Sequence, residues 1–172
     1  LDTAAIDARG MAPAQPYLQR IYAAQTREDL IDLMAAPGIP SAIGGGVGPD
    51  AKDSDRNTYS LGQAGLGLPD REYYLSSAPR FVDIRAKYAD YLTFVLGKAG
   101  YQDPASAAKS VLALETDLAR AQWDRAASRN RDLRYNKFTL DEVAAMPNGA
   151  LLARFIDKAS DGKVASAGGA LS

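Results

Sequence analysis

Histidine and cysteine are both absent from the 172 residues. Their absence removes the commonest zinc ligands, rules out a Ser-His-Asp or Cys-His catalytic arrangement, and leaves neither a disulfide nor a thiolate nucleophile. A chain without thiols suits reducing and oxidising surroundings equally, so the compartment stays open. An excess of one charge is also missing: 20 Lys and Arg face 21 Asp and Glu, a net charge of -1. No global field attracts nucleic acid or an anionic membrane, and neither is expected as a partner. No apolar run approaches the roughly 20 residues that span a bilayer, and no secretory leader opens the chain, so this segment is expected to make no membrane contact. Leu1 is not a methionine and the residues behind it already look helical. The chain is therefore expected to begin and end inside something larger.

What is present is mostly helical periodicity. The length suits one compact unit with a real core. Asp2 to Arg9 reads as the tail of a helix closed by Gly10, and Leu18, Ile21 and Tyr22 share one face of a second helix. Thr26 and Asp29 form a capping box for a third, with Leu30, Leu33 and Met34 as its stripe, so an αα-hairpin is expected. The period then changes. A glycine-rich strand and the β-formers Thr58 to Leu61 predict an antiparallel hairpin over about 42–63, with a polar loop between its arms. Glycine packs nothing in a strand, so the choice points to close approach of another backbone. Pro79 opens a long helix over about 79–99, and Asp103-Pro104 opens another over about 104–127. The stripe of the latter is Val111, Leu114, Leu118 and Ala121, with Leu112, Ala119 and Trp123 beside it, and its width predicts burial on more than one side. Thr139 and Glu142 give a further capping box. Ser160 to Ser172 is small and glycine-rich, and a flexible tail is expected there.

Each candidate for chemistry has a plainer alternative. Asp53, Ser54, Asp55, Arg56 and Asn57 resemble the start of a calcium loop, but Thr58 and Ala64 stand where its glycine and bidentate glutamate belong. Gly44 to Gly48 leads to Pro49 and Ala51 rather than to a Gly-Lys-Ser/Thr phosphate cradle. Asp70 with Glu72, and Glu115 with Asp117, are two residues apart, a spacing that sends helical side chains to different faces. The basic run Arg125, Arg129, Arg131, Arg134 and Lys137 is diluted by Asp124 and Asp132, and reads as arginines clamping carboxylates or helix ends. The residues by themselves give a mainly α, multi-helix bundle with a small antiparallel β-hairpin. No catalytic, metal or substrate-binding residue is assigned.

The least ordinary stretch is Gly65 to Leu75, GLGLPDREYYL. Its glycines permit positive φ or close backbone approach, and Pro69 pushes Leu68 towards extended geometry. Asp70 can cap the turn that follows, while Leu66, Leu68, Tyr73, Tyr74 and Leu75 offer apolar anchors. This stretch closely resembles a segment from the N-terminal half of the neprilysin and endothelin-converting-enzyme family of zinc metallopeptidases. Leu114 to Trp123, with Arg129, Asp132 and Tyr135-Asn136 after it, is similar to that family's long-helix pattern. Asp50 to Asp53 and the Arg9-Gly10 to Pro16 opening fall in the expected order.

The resemblance implies a parent zinc-dependent metalloendopeptidase with two lobes that cleaves oligopeptides. Its zinc and general base would lie on a His-Glu-x-x-His helix that this chain does not contain. Residues 1–159 would form the N-terminal helical lobe that covers the active-site cleft and restricts substrate size. The implied partners are the catalytic domain of the same protein and the oligopeptide substrates of the parent, and the family suggests an extracytoplasmic location: periplasmic, secreted or a membrane-anchored ectodomain. Zinc belongs to the parent and not to this chain, which alone should be inactive. The competing reading is a stand-alone helical protein-interaction module without enzymatic activity.

Overall fold

The computed structural model describes residues 2–166 and 170–171. Its elements are α1 (Thr3–Arg9), a 3-10 turn (Ala12–Ala14), α2 (Gln15–Ala23), α3 (Arg27–Ala35), β1 (Ile43–Pro49), β2 (Asn57–Gln63), α4 (Glu72–Leu75), α5 (Pro79–Lys98), α6 (Pro104–Ala121), α7 (Arg125–Arg129), α8 (Arg131–Arg134), β3 (Phe138–Thr139), α9 (Leu140–Ala144), α10 (Gly149–Ala159), α11 (Lys163–Ser166) and β4 (Ala170–Leu171). Where length suggested one compact unit, the chain divides into two: Leu1–Leu18 with Leu66–Gln122, and Gln19–Gly65 with Trp123–Ser172.

In the first unit α5 and α6 pack along one another, with α4 against both. Local chemistry sets their ends. Asp103 accepts the Ser106 amide at 3.0 Å to open α6, and Gly100 turns the chain after α5 with φ of 90°. The expected continuation of α6 to residue 127 does not occur. Gln122 is extended, and Asp124 caps α7 by accepting the Ala127 amide at 2.8 Å, so a new helix starts before the old pattern is exhausted. The broad stripe is also narrower than expected: Ala108, Glu115 and Ala119 are buried, whereas Leu114 and Trp123 are exposed. α5 contains no buried residue at all, and Val82, Tyr91, Phe94 and Val95 stand exposed along it.

The second unit holds the apolar core: Ile31, Tyr59, Val143, Phe155, Ile156 and Val164. Both predicted capping boxes form, Thr26 with Asp29 on α3 and Thr139 with Glu142 on α9. The phase of α3 differs from the predicted stripe, because Ile31 is its buried residue and Leu30 is exposed. Its partner is α10 rather than the expected hairpin neighbour, and Ile21 and Tyr22 on α2 remain exposed. Asp32 and Arg154 reinforce that packing through paired hydrogen bonds of 2.6 and 2.7 Å.

The hairpin forms with Ile43 opposite Gln63 and Pro49 opposite Asn57, and it grows into a four-stranded sheet of order β1-β2-β4-β3. The loosely held tail is reduced: Ser160 and Val164 are buried, Lys163–Ser166 is helical, and Ala170–Leu171 pairs with β3. Residues 167–169 and 172 of that stretch lie outside the described residues. Ile156 is fully buried, so Ile156→Ala is expected to cost about 2–5 kcal/mol through lost burial and a residual cavity. Chemical denaturation with an unchanged slope checks it.

Candidate functional site

The family-like segments find one another in pairs. Gly65, the last residue of the second unit's first segment, takes φ of 87° and turns the chain out of the hairpin, and the bonds that follow lie in the first unit. Leu68 donates its amide to the Tyr74 hydroxyl at 2.8 Å, and that hydroxyl donates to Glu115 Oε2 at 2.8 Å. Tyr88 on α5 donates to Glu115 Oε1 at 3.1 Å. A buried carboxyl thus has each oxygen engaged by a phenol, one from the GLGLPDREYYL stretch and one from α5. Gly67 has no left-handed φ; its role is close approach. A methyl there would lie 2.0 Å from the Tyr88 hydroxyl and 3.0 Å from Glu115 Oε1.

Further bonds fix the same stretch. Asp70 Oδ1 accepts the Glu72 amide at 2.9 Å, Arg71 Nε donates to the Ala119 carbonyl at 3.2 Å, and Arg85 donates to the Tyr73 and Ser76 carbonyls at 2.8 and 2.9 Å. The Tyr73 ring meets Phe81 edge-on at 5.0 Å. Burial, with the Glu115 charge and hydrogen bond added, pushes the Tyr88 hydroxyl up to about 12. Burial raises Tyr74 as well. Both phenols therefore stay protonated donors at neutral pH, each bonded to one oxygen of the buried Glu115 carboxyl. Asp117, its imagined catalytic companion, is exposed and ion-paired with Arg120 at 2.5 Å.

In the second unit, Asp50 and Tyr135 meet although they stand 85 residues apart. The Asp50 side chain has no exposed surface. It accepts Lys137 Nζ at 2.7 Å, the Lys52 amide at 2.8 Å and the Tyr135 hydroxyl at 3.0 Å, while the Lys52 ammonium sits 4.2 Å over the Tyr135 ring. The Lys137 hydrogen bond, then the Lys52 amide and Tyr135, hold its carboxyl down at about 2. The 53–57 loop closes on itself, with the Arg56 amide bonded to the Asp53 carbonyl at 3.1 Å. Of the basic run, Lys137 clamps the Asp50 carboxylate, and Arg129, Arg131 and Arg134 are exposed on the short helices α7 and α8.

Asp50 sets a pH dependence whose sign follows from its depressed value. Its contribution is complete above the ordinary carboxylate value of 3.8 and disappears as pH falls through about 2, since unfolding there takes up as much as about one extra proton. Stability profiles of the protein and of Asp50→Asn between pH 6 and 2 are expected to converge at the acid end. Parallel profiles would show that Asp50 is not the titrating group.

Glu115 and Arg85 are not separable from ordinary helix surface by periodicity alone, because each finds its partner across the unit rather than along its helix. Among the described residues no group of three or more His, Cys, Asp or Glu side chains is placed to hold a metal ion. With no histidine or cysteine in the sequence, these residues do not fit a zinc site.

The N-terminal family model described as peptidase family M13 matches residues 1–166, and the chain belongs to that family. Endothelin-converting enzyme 1 of Cavia porcellus is 30% identical over 102 residues, which are 58% of this chain and 14% of that protein. The endothelin-converting enzyme homolog of Locusta migratoria is 30% identical over 103 residues, 59% of this chain and 14% of its own length. Among solved structures, the zinc metalloprotease Zmp1 of Mycobacterium tuberculosis in complex with inhibitor superimposes with a TM-score of 0.75 at 25% identity, covering 92% of this chain and 29% of that one. Zmp1 in its open state gives 0.75 at 26% identity, covering 95% and 29%. The chain thus spans a minor part of the relatives it matches.

Proposed function

We propose that this chain is the non-catalytic, largely helical lobe of a zinc-dependent metalloendopeptidase acting on oligopeptides, and that it covers the active-site cleft and limits substrates by size. The observation that carries this reading is the internal pairing of the family-like segments: the GLGLPDREYYL stretch is spent on Glu115, and the 50–53 segment on Tyr135 and Lys137. A cover that sorts by size needs rigidity and no reactive group. We assign it no catalytic or zinc-ligating residue. Its partners in this reading are the catalytic domain of the same protein and the peptides it admits, and the enzyme works outside the cytoplasm. Among the described residues no helix is long and apolar enough to cross a membrane.

The exposed apolar side chains along α5 fit a surface met by further polypeptide, and they would equally suit a stand-alone interaction module. Enzyme assays separate the two. The longer polypeptide that carries this chain, supplied with zinc, is expected to cleave short members of a mixed peptide library and to spare folded proteins. The 172-residue chain with zinc is expected to cleave neither. Appreciable cleavage by the chain alone would sink the division of labour, and a reading frame that stops soon after Ser172 would favour the interaction module.

A further inference from the structure

β1 stands at the open edge of the sheet. The parity of its backbone follows from its neighbours. Asp50 continues the ladder by donating its amide to the Arg56 carbonyl at 2.8 Å, and the Ile43 amide turns instead to Ser41 Oγ at 3.0 Å. Residues alternate along an antiparallel pair, so Gly44, Gly46 and Gly48 bond to β2, while Gly45 and Val47 direct N–H and C=O outward. Natural edge strands are blunted by lysine, proline or a bulge, yet IGGGVGP carries no charge and reaches proline only at its end.

The glycines sharpen this. Gly45 is explained inside the sheet, since a methyl there would lie 2.7 Å from the Tyr59 ring. Gly46 and Gly48 are not: a methyl at either would meet no atom within 4 Å, and neither has positive φ. Val47 is 64% exposed. A strand that gives up side chains where nothing in the unit demands it is suited to another backbone lying close against it.

We propose that the outer edge of β1 receives an extended strand from the remainder of the same polypeptide, adding a fifth strand beside β1. This rests on the reading of the chain as one lobe of a longer peptidase. Two observations select that occupant. The chain covers 29% of each Zmp1 chain, so most of such a polypeptide lies outside these residues. Its last described residues, Ala170–Leu171, already lie in the sheet and run parallel to β2, heading towards the end where β1 begins. Polypeptide continuing from β4 therefore departs at the end of the sheet where β1 begins, with β2 between it and β1.

Amide hydrogen exchange tests it without any variant. In the 172-residue chain the Gly45 and Val47 amides should exchange quickly while those of Gly44, Gly46 and Gly48 are protected. In the longer polypeptide, exchange at Gly45 and Val47 should slow on the order of 100-fold or more. Val47→Pro, which removes an outward amide that the hairpin does not use, should return Gly45 in the longer polypeptide to the fast rate. Fast exchange in both proteins overturns the proposal. So does protection that grows with protein concentration, which marks a second copy, or protection that appears only with added oligopeptide, which marks substrate. Zinc-dependent cleavage with Gly45 and Val47 still exchanging rejects the added strand and leaves the peptidase reading intact; protected amides without cleavage do the reverse.

Discussion

Gly149→Ala is expected to destabilise the second unit by about 3 kcal/mol or more, and to lower its thermal midpoint by roughly 6–12 °C. The added methyl would sit 1.8 Å from the Val143 carbonyl oxygen and 3.1 Å from Met146 Cβ. A side-chain end could swing away, but a carbonyl at the end of α9 moves only with its helix. α9 and α10 would have to separate, and Val143, Phe155 and Ile156 lose their packing together. Gly149 has no left-handed φ, so the effect isolates close approach from backbone strain. Gly46→Ala is the matched control: its methyl meets nothing, and the chain should be unchanged or slightly more stable. Equal losses at both positions in thermal unfolding would refute the steric account.

Gly67→Val should cost about 2–4 kcal/mol, by displacing the Tyr88 hydroxyl and exposing Glu115 to an incomplete set of donors. The contact at fault is specific, so the test is a double-mutant cycle. In Tyr88→Phe the oxygen 2.0 Å from the new methyl is gone, although the ring carbon at 2.9 Å remains. The cost of Gly67→Val should fall by about 1 kcal/mol in that background. Strict additivity in urea unfolding would mean that the loop and α5 are not coupled through this hydroxyl. If the chain serves as a size-selecting cover, Gly67→Val should also leave the zinc affinity of the longer enzyme nearly unchanged.

These two glycines mark what could be read from sequence and what could not. Local signals were legible: Thr26 with Asp29, Thr139 with Glu142, and Asp103 before Pro104 all cap where the pattern places them. The hairpin and both long helices were legible for the same reason, since period and punctuation lie within a few residues. Gly65 and Gly67 look alike in sequence, yet one serves φ and the other serves proximity, a difference set by Tyr88 far along the chain. Glu115 could not be distinguished from a surface acid, because its phenol donors stand 41 and 27 residues away. The strands β3 and β4 have two residues each, too few for any alternation to register. The end of α6 was misjudged because Asp124 outcompetes a run of good helix formers by capping the next helix.

The division of the chain has a consequence for its synthesis. The second unit is interrupted by Leu66–Gln122, and its ties span long separations: 85 residues between Asp50 and Tyr135, and 122 between Asp32 and Arg154. A ribosome releases α3 and the hairpin well before either finds its partner, whereas α4, α5 and α6 leave the exit tunnel in sequence and can settle against one another at once. The inserted unit is thus expected to mature first, with the flanking one waiting for the segment that begins at Trp123, in the order set by contact separation. Limited proteolysis of stalled nascent chains ending near Gln122 would reveal a protected α4–α6 core beside a digestible hairpin; the opposite pattern would reverse the order.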